Sequence, residues 1–206
     1  MTPVYAIIPS EGRPMVHDCI ASVRNQVDHI IVVANGGYDG SDLHDVLVVP
    51  DAGTDRNISR WWNIGLCAAA EHERHEWNSL VLNDDVVMHP GSVTRLSDAL
   101  RETQVELAFP GPTLARIPFG SPVRITGWCF MLAGEHGLCA DETMSWWASD
   151  NDLDWRARQR FGVVTVPNVG HDHRDANGYT NRVPALSEQA GRDLQTFQMK
   201  WGKSPC

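Results

Sequence analysis

Late in the first half of the chain stands Leu80-Val81-Leu82-Asn83-Asp84-Asp85-Val86, and the fold class follows from it. Three apolar residues run directly into an amide and two acids. An unbroken apolar run of this kind marks a strand buried on both faces, as in a parallel sheet. Open α/β sheets bind ligands just beyond the carboxyl ends of such strands, which is where Asp84 and Asp85 fall. Adjacent carboxylates repel, and a divalent cation is one way of holding both ionised. The competing reading is local, because Asn-Asp-Asp is also the composition of a turn or a helix start.

Upstream, Val4–Pro9, His29–Val33 and Val46–Val49 are further short β-rich runs. Between the first two, Pro14 opens a helix in which Val16, Cys19, Ile20 and Val23 share a face. Asn57 to about His72 is a second helix, with Ile58, Trp62, Gly65, Leu66 and Ala69 on one side. Downstream, Pro90 to about Thr103 reads as helix and Val105–Phe109 as strand. Pro110–Pro122 reads as loop and Ile125–Leu132 as strand. A helix capped by Ser149 or Asp150 runs to Phe161, with Leu153, Ala157 and Phe161 as its buried stripe and Gly162 as its stop. Val163–Val166 is a strand, Pro167–His173 follows it, and a polar loop leads to a last helix near Ser187–Lys200. Alternation of strand and helix predicts an α/β protein with a mostly parallel central sheet flanked by helices.

The 206 residues suffice for one sizeable domain, and no repeat or linker divides them. A formal net charge of −9 argues against broad binding to nucleic acid or anionic membrane. Five cysteines, an odd number without a C-x-x-C pair, fit reduced thiols in a cytoplasmic protein. No signal-peptide pattern opens the chain, and no apolar run approaches a membrane span. Eight tryptophans are many for this length, and flat apolar surfaces that also donate a hydrogen bond suit sugar contacts as well as cores.

Three further groups carry chemistry. Asp150 and Asp152 sit at a helix start, where the dipole favours the ionised carboxylate; Asp152 also has Arg156 one turn on as a purely structural partner. His171 and His173, two apart on an extended segment, point the same way and can share a metal. With Asp175 they form the string H-x-H-x-D found in some metal-dependent hydrolases, as well as an ordinary surface loop. Ser10 and Glu11 follow the first strand, and Arg60 is placed either to counter a phosphate or to cover a helix face. Arg13, Asp39 and Asn63 complete the candidates.

In this order the pieces resemble family 2 glycosyltransferases of the GT-A fold, a Rossmann-like architecture. AIIPSEGRP resembles the family's strand and PT-x-N-R loop, and IVVANGGYDGS its vDnGS-x-D-gS segment. NISRWWNIGL resembles N-x-G-x-a-x-a-r-N-x-G. LNDDVVMHPGSVTRL resembles the strand that ends in the metal-binding D-x-D region. DETMSWWASDNDLDWRARQRFG resembles fDE-x-ff-x-yfED-x-D-l-x-x-R-x-x-x-G, and VPNVGHDH the late vP-x-a-x-v-x-H.

The resemblance implies an inverting, metal-dependent transfer of a sugar from a nucleotide-diphosphate sugar, with UDP-sugar the expected donor. It implies one domain over residues 1–206, with a nucleotide-binding half at 1–88 and an acceptor and catalytic half at 89–206. Pro9, Ser10 and Glu11 would line the base or ribose, and Arg13, Arg60 and Asn63 would belong to the same donor-nucleotide site. Asp85 would bind Mn²⁺ or Mg²⁺, with Asn83 in the first acid position and Asp84 as helper. His173, or alternatively His171, would complete the metal site. Asp150 would be the general base, and the Glu that precedes it in the family is Ser149 here. Trp128, Trp147 and Asp152 would face the acceptor, which is a glycan, a lipid-linked sugar, a protein or a modified nucleic acid. Ala34 stands where the family has an acid, leaving Asn35 or Asp39 to take over its contact to the base.

Three rival readings predict differently. A hydrolase built on His171, His173 and Asp175 would hold zinc and ignore UDP. A non-catalytic GT-A-like module would bind sugar or a partner without turnover. A nucleotidyltransferase of similar fold usually carries a Gly-rich basic loop after the first strand, and Ser10-Glu11-Gly12-Arg13-Pro14 is poor in both.

Overall fold

The computed structural model describes residues 2–175 and 178–205. The chain order begins β1 (Val4–Ser10), α1 (Met15–Val23), β2 (His29–Ala34), β3 (Leu47–Pro50), α2 (Ile58–His72) and β4 (Asn78–Leu82). It continues with β5 (Val86–Met88), α3 (Ser92–Thr103), β6 (Leu107–Pro110), β7 (Ala115–Arg116) and β8 (Cys129–Ala133). It ends with α4 (Ser149–Gln159), β9 (Val163–Val166), β10 (His171–His173), α5 (Gly178–Arg182) and α6 (Pro184–Trp201).

Eight strands form one sheet in the order β3-β2-β1-β4-β8-β6-β9-β7. β1 pairs in parallel with β2 and β4, β2 with β3, and β6 with β9. β8 runs antiparallel between β4 and β6, and β7 antiparallel along β9. The sheet is therefore mostly parallel, as the alternation predicts, with β8 and β7 reversed. β8 is reversed because a long connection, residues 111–128, returns the chain to the edge it left.

Continuous apolar strands follow from burial on both faces. All seven residues of β1 and all five of β4 are buried. Along β1, Val4, Ala6 and Ile8 join the cluster beneath α1 and α3, whereas Tyr5 and Ile7 join the one beneath α2 and α4. Each fully buried aliphatic side chain contributes about 1.5–3 kcal/mol of transfer free energy. Gly65 lets α2 lie against β1, since a Cβ there would stand 2.2 Å from Ile7 Cγ2.

Several boundaries differ from expectation. Ile125–Trp128 is loop and the strand begins at Cys129. Phe161 lies beyond the end of α4 and is 48% exposed, so the buried stripe stops at Ala157. Neither Ser149 nor Asp150 caps α4: Ala148 does, at φ +60°, without a side-chain bond. The extended segment that carries His171 and His173 is β10, paired antiparallel with β5, and the polar loop expected after it contains α5. The last helix starts earlier, with Pro184 in its first turn. Among the described residues no helix is long and apolar enough to cross a membrane.

Candidate functional site

The quoted stretch is a strand, a turn and a second short strand. β4 stops at Leu82, Val86 N–H donates to Asn83 O at 3.2 Å, and β5 follows. The turn falls at the carboxyl edge of β4, beside the end of β1. Both readings of Asn83-Asp84-Asp85 hold at once. Asp84 and Asp85 are each 4% exposed and border a cavity of about 660 Å³.

The loop after β1 furnishes the partners of Asp84. Ser10 Oγ donates to Asp84 Oδ2 at 2.7 Å, and Gly12 N–H donates to Ser10 Oγ at 3.1 Å. Arg13 Nε donates to Asp84 Oδ2 at 3.3 Å, and Arg13 Nη2 contacts Asp84 Oδ1. The same guanidinium stands 3.6 Å from Asp85 Oδ2 and 3.4 Å from Asp175 Oδ2. Burial raises the pKa of Asp84, and Arg13 and Ser10 oppose the rise. Burial disfavours the charge on Arg13, but the bond to Asp84 and the surrounding carboxylates outweigh it, so its pKa is raised.

Asp85 is held from the far side. Arg174 N–H donates to Asp85 O at 3.0 Å, which docks the end of β10 on the turn. His173 Nε2 lies 3.4 Å from Asp85 Oδ1, a buried oxygen that makes no hydrogen bond among the described residues. Two donors bound to one ion at about 2.1 Å stand about 3.0–3.4 Å apart at angles near 90–110°. The pair therefore fits two positions on a common divalent ion. Among the described residues no group of three His, Cys, Asp or Glu side chains is gathered for a metal, so further ligands would come from substrate or water.

Asp150 borders the same cavity from the first turn of α4. Burial raises its pKa, opposed by the N–H and Nδ2 of Asn151, which donate to Oδ1 at 2.9 and 2.8 Å. Gly127 faces it so closely that a Cβ would stand 2.6 Å from Asp150 Oδ2. The unusual backbone at Ala148 is held by α6: buried Asp193 accepts from Trp146 N–H at 2.7 Å and Trp147 N–H at 2.8 Å. A buried ion pair, Asp154–Arg158, braces the chain that leads to Gly127, where Arg158 donates to the carbonyls of Pro118, Ser121 and Val123.

Pro9, Ser10, Glu11, Arg13, Asn35, Asn83, Asp84, Asp85, Trp128, Trp147, Asp150 and His173 thus meet around one cavity. Other predicted residues do not. Arg60 is clamped by Asp51 and Asp55, with Nη2 2.8 Å from Asp51 Oδ2, so it is not free for a phosphate. Asn63 ties α2 to Ala140 and Glu142. Asp39 accepts from Ser41 N–H in an exposed turn. Asp152 is 0% exposed and binds Arg156, Lys200 and Trp201, joining α4 to α6 and facing no acceptor.

His171 shares a face with His173, and both rings lie against Trp128, at 4.2 and 5.1 Å. Two residues of strand span about 7 Å, so only His173 reaches Asp85. His171 borders a smaller neighbouring cavity of about 350 Å³. Asp175 is engaged by Arg13 and Arg182. The hydrolase set of His171, His173 and Asp175 is therefore not assembled.

Sequence reasoning missed Arg124, Asn151 and Tyr179, all on the cavity. Arg124 carried one signal, as the single charge between Ile117 and Met131. Tyr179 carried none. Its ring lies under Arg13 at 5.3 Å and Arg56 at 5.8 Å, and burial together with its bond to Glu11 pushes its hydroxyl up to about 12.

The sequence model of the MobA-like NTP transferase domain matches residues 6–142. A comparison with curated proteins finds no match. Among solved structures, residues 1–349 of TarS from S. aureus superpose with a TM-score of 0.59 at 8% identity, over 95% of this chain and 69% of that one. A second S. aureus TarS structure gives 0.60 at 9% identity, over 97% of this chain and 42% of that one. The likeness establishes the fold, α/β and GT-A-like with a mostly parallel central sheet.

Proposed function

The chain belongs to the MobA-like NTP transferase domain family, and from that premise we propose that it is an inverting, family 2-like glycosyltransferase using a nucleotide-diphosphate sugar. The observation that carries the reading is the meeting of Asp84, Asp85 and Asp150 around one cavity at the carboxyl edge of β1 and β4. Pro9, Ser10, Glu11 and Asn35 receive the nucleoside, with UDP the expected nucleotide. Arg13 faces its diphosphate. Asp85 and His173 hold Mn²⁺ or Mg²⁺, whose bound form supplies charge neutralisation for the departing diphosphate. Asp150 accepts the proton of the acceptor hydroxyl as that oxygen bonds to the anomeric carbon and the diphosphate leaves from the opposite side. A carboxylate whose pKa is raised by burial is a stronger base for that step.

Trp128 and Trp147 form the acceptor wall, and a glycan, lipid-linked sugar, protein or modified nucleic acid are the acceptor classes considered. In this reading residues 1–88 serve the donor and 89–206 the acceptor and the base. The unpaired thiols of Cys19, Cys67, Cys129 and Cys139 suit a cytoplasmic setting.

A second reading, nucleotidyl transfer, is favoured by the family match itself. The matched residues 6–142 include Asp84 and Asp85 but neither Asp150 nor His173. The two differ in product: a glycosyltransferase frees a nucleoside diphosphate from a nucleotide sugar, whereas a nucleotidyltransferase frees pyrophosphate from a nucleoside triphosphate. Incubation with each donor class and Mn²⁺ or Mg²⁺, followed by phosphorus NMR, separates them. Asp150→Asn is expected to abolish sugar transfer while UDP binding survives, and full activity in that variant removes Asp150 as the base.

A further inference from the structure

Arg13 is placed unlike an ordinary phosphate-binding arginine. Its guanidinium lies among three carboxylates, bonded to Asp84, 3.6 Å from Asp85 and 3.4 Å from Asp175. The stacked Tyr179 ring at 5.3 Å holds it there. Among the described residues Asp85 nevertheless keeps one buried oxygen without a hydrogen bond, 3.4 Å from His173 Nε2. The carboxylates are thus already countered by a resident cation, while a half-built cation position remains open beside it. A free divalent ion approaching Asp85 meets a like charge against the same carboxylate, and this repulsion weakens its binding. A nucleoside diphosphate changes the balance. Its phosphate oxygens offset the guanidinium, draw it from Asp84 by charge-assisted bonds, and add the ligands that Asp85 and His173 lack.

We infer that Arg13 couples the two ligands: it disfavours a free divalent ion at Asp85 and admits that ion only together with a nucleoside diphosphate. The inference rests on the reading of this cavity as a metal–nucleotide site. Coupling between ligands is reciprocal, so each raises the other's affinity by the same factor. Arg56, which shares the Tyr179 ring but pairs with Glu11 at 3.2 Å, faces neither Asp84 nor Asp85 in these contacts and serves as the control cation.

The test is a binding cycle on the full chain, with Mn²⁺ followed by electron paramagnetic resonance and UDP by calorimetry, each alone and with the other saturating. In the unaltered protein, UDP is expected to tighten Mn²⁺ binding by a factor on the order of 10–100. In Arg13→Gln, Mn²⁺ alone is expected to bind about 5-fold tighter or better, UDP alone more weakly, and the coupling factor is expected to shrink. Arg13→Lys, which keeps the charge, and Arg56→Gln are expected to leave the affinity for Mn²⁺ alone near that of the unaltered protein. Mn²⁺ binding in Arg13→Gln that is no tighter than in the unaltered protein overturns the inference and leaves the metal–nucleotide reading standing. Absence of Mn²⁺ binding even with UDP saturating, in every variant, overturns that reading and the inference with it.

Discussion

Gly127 and Asp150 face each other across the cavity wall at a separation that leaves no room for a methyl group. Gly127 is not in the left-handed region, so its φ does not exclude alanine, and the three atoms nearest to an added Cβ all belong to the Asp150 side chain. Gly127→Ala should therefore displace Asp150 without unfolding the chain. Transfer is expected to fall by about 10- to 100-fold, with the melting midpoint nearly unchanged and UDP affinity retained. Unchanged turnover would show that the orientation of Asp150 does not matter. The raised pKa of Asp150 also places the acidic limb of the transfer rate above the ordinary carboxylate range, since the base works only when deprotonated. The pH profile of kcat/KM checks this. Asp84, Asp85 and Asp150 could be singled out from sequence because acids at strand ends and helix starts are positional signals. Tyr179 could not, because what sets it under Arg13 is tertiary packing between α5 and a loop far away in the chain, which no local pattern encodes.

At the scale of elements, the start of α4 is governed from outside itself. Its cap, Ala148, has a positive φ and offers no side-chain acceptor, a conformation that costs of order 1–3 kcal/mol unless its surroundings impose it. Asp193 of α6 imposes it by accepting two consecutive backbone N–H groups. Asp193→Ala is expected to destabilise the fold by about 2–4 kcal/mol through the two stranded donors, and to lower transfer more than it lowers UDP affinity. Urea denaturation and the two binding curves read these effects, and a stability loss under about 0.5 kcal/mol would refute the role. Sequence periodicity located α4 to within a residue or two but misidentified its cap, because the satisfying carboxylate lies far away in the chain. Likewise the apolar runs gave β1, β2, β4 and β9 their places. β5, β7 and β10 are too short for periodicity and exist through pairing with partners already in position.

For the molecule as a whole, the opposite edge of the sheet carries a stability liability. Glu106 is 0% exposed; Arg160 stands 3.2 Å from Oε1, yet among the described residues neither carboxylate oxygen makes a hydrogen bond. Burial pushes its pKa up from 4.5 to about 7. A carboxyl group whose folded pKa is raised binds its proton more tightly when folded. Its favourable contribution is therefore present below pH about 4.5 and is lost as pH rises toward about 7. Glu106→Gln should raise stability at pH 8 by on the order of 1–3 kcal/mol, with the gain vanishing below pH about 4.5. Chemical denaturation at both pH values tests this, and a gain independent of pH would rule out the titration as its cause.

The reversed strand β8 has a consequence for how such a protein diversifies. Because β6 ends and β8 begins at the same edge of the sheet, residues 111–128 leave that edge and return to it, laying β7 along β9 on the way. Arg124, Thr126, Gly127 and Trp128 all belong to that excursion and line the cavity. The excursion is thus a cassette with both ends anchored in the frame. Lengthening or exchanging its second part, residues 118–128, which follows β7, would recast what faces the base while leaving the strand pairings, and the Asp84–Arg13 side of the cavity, as they are.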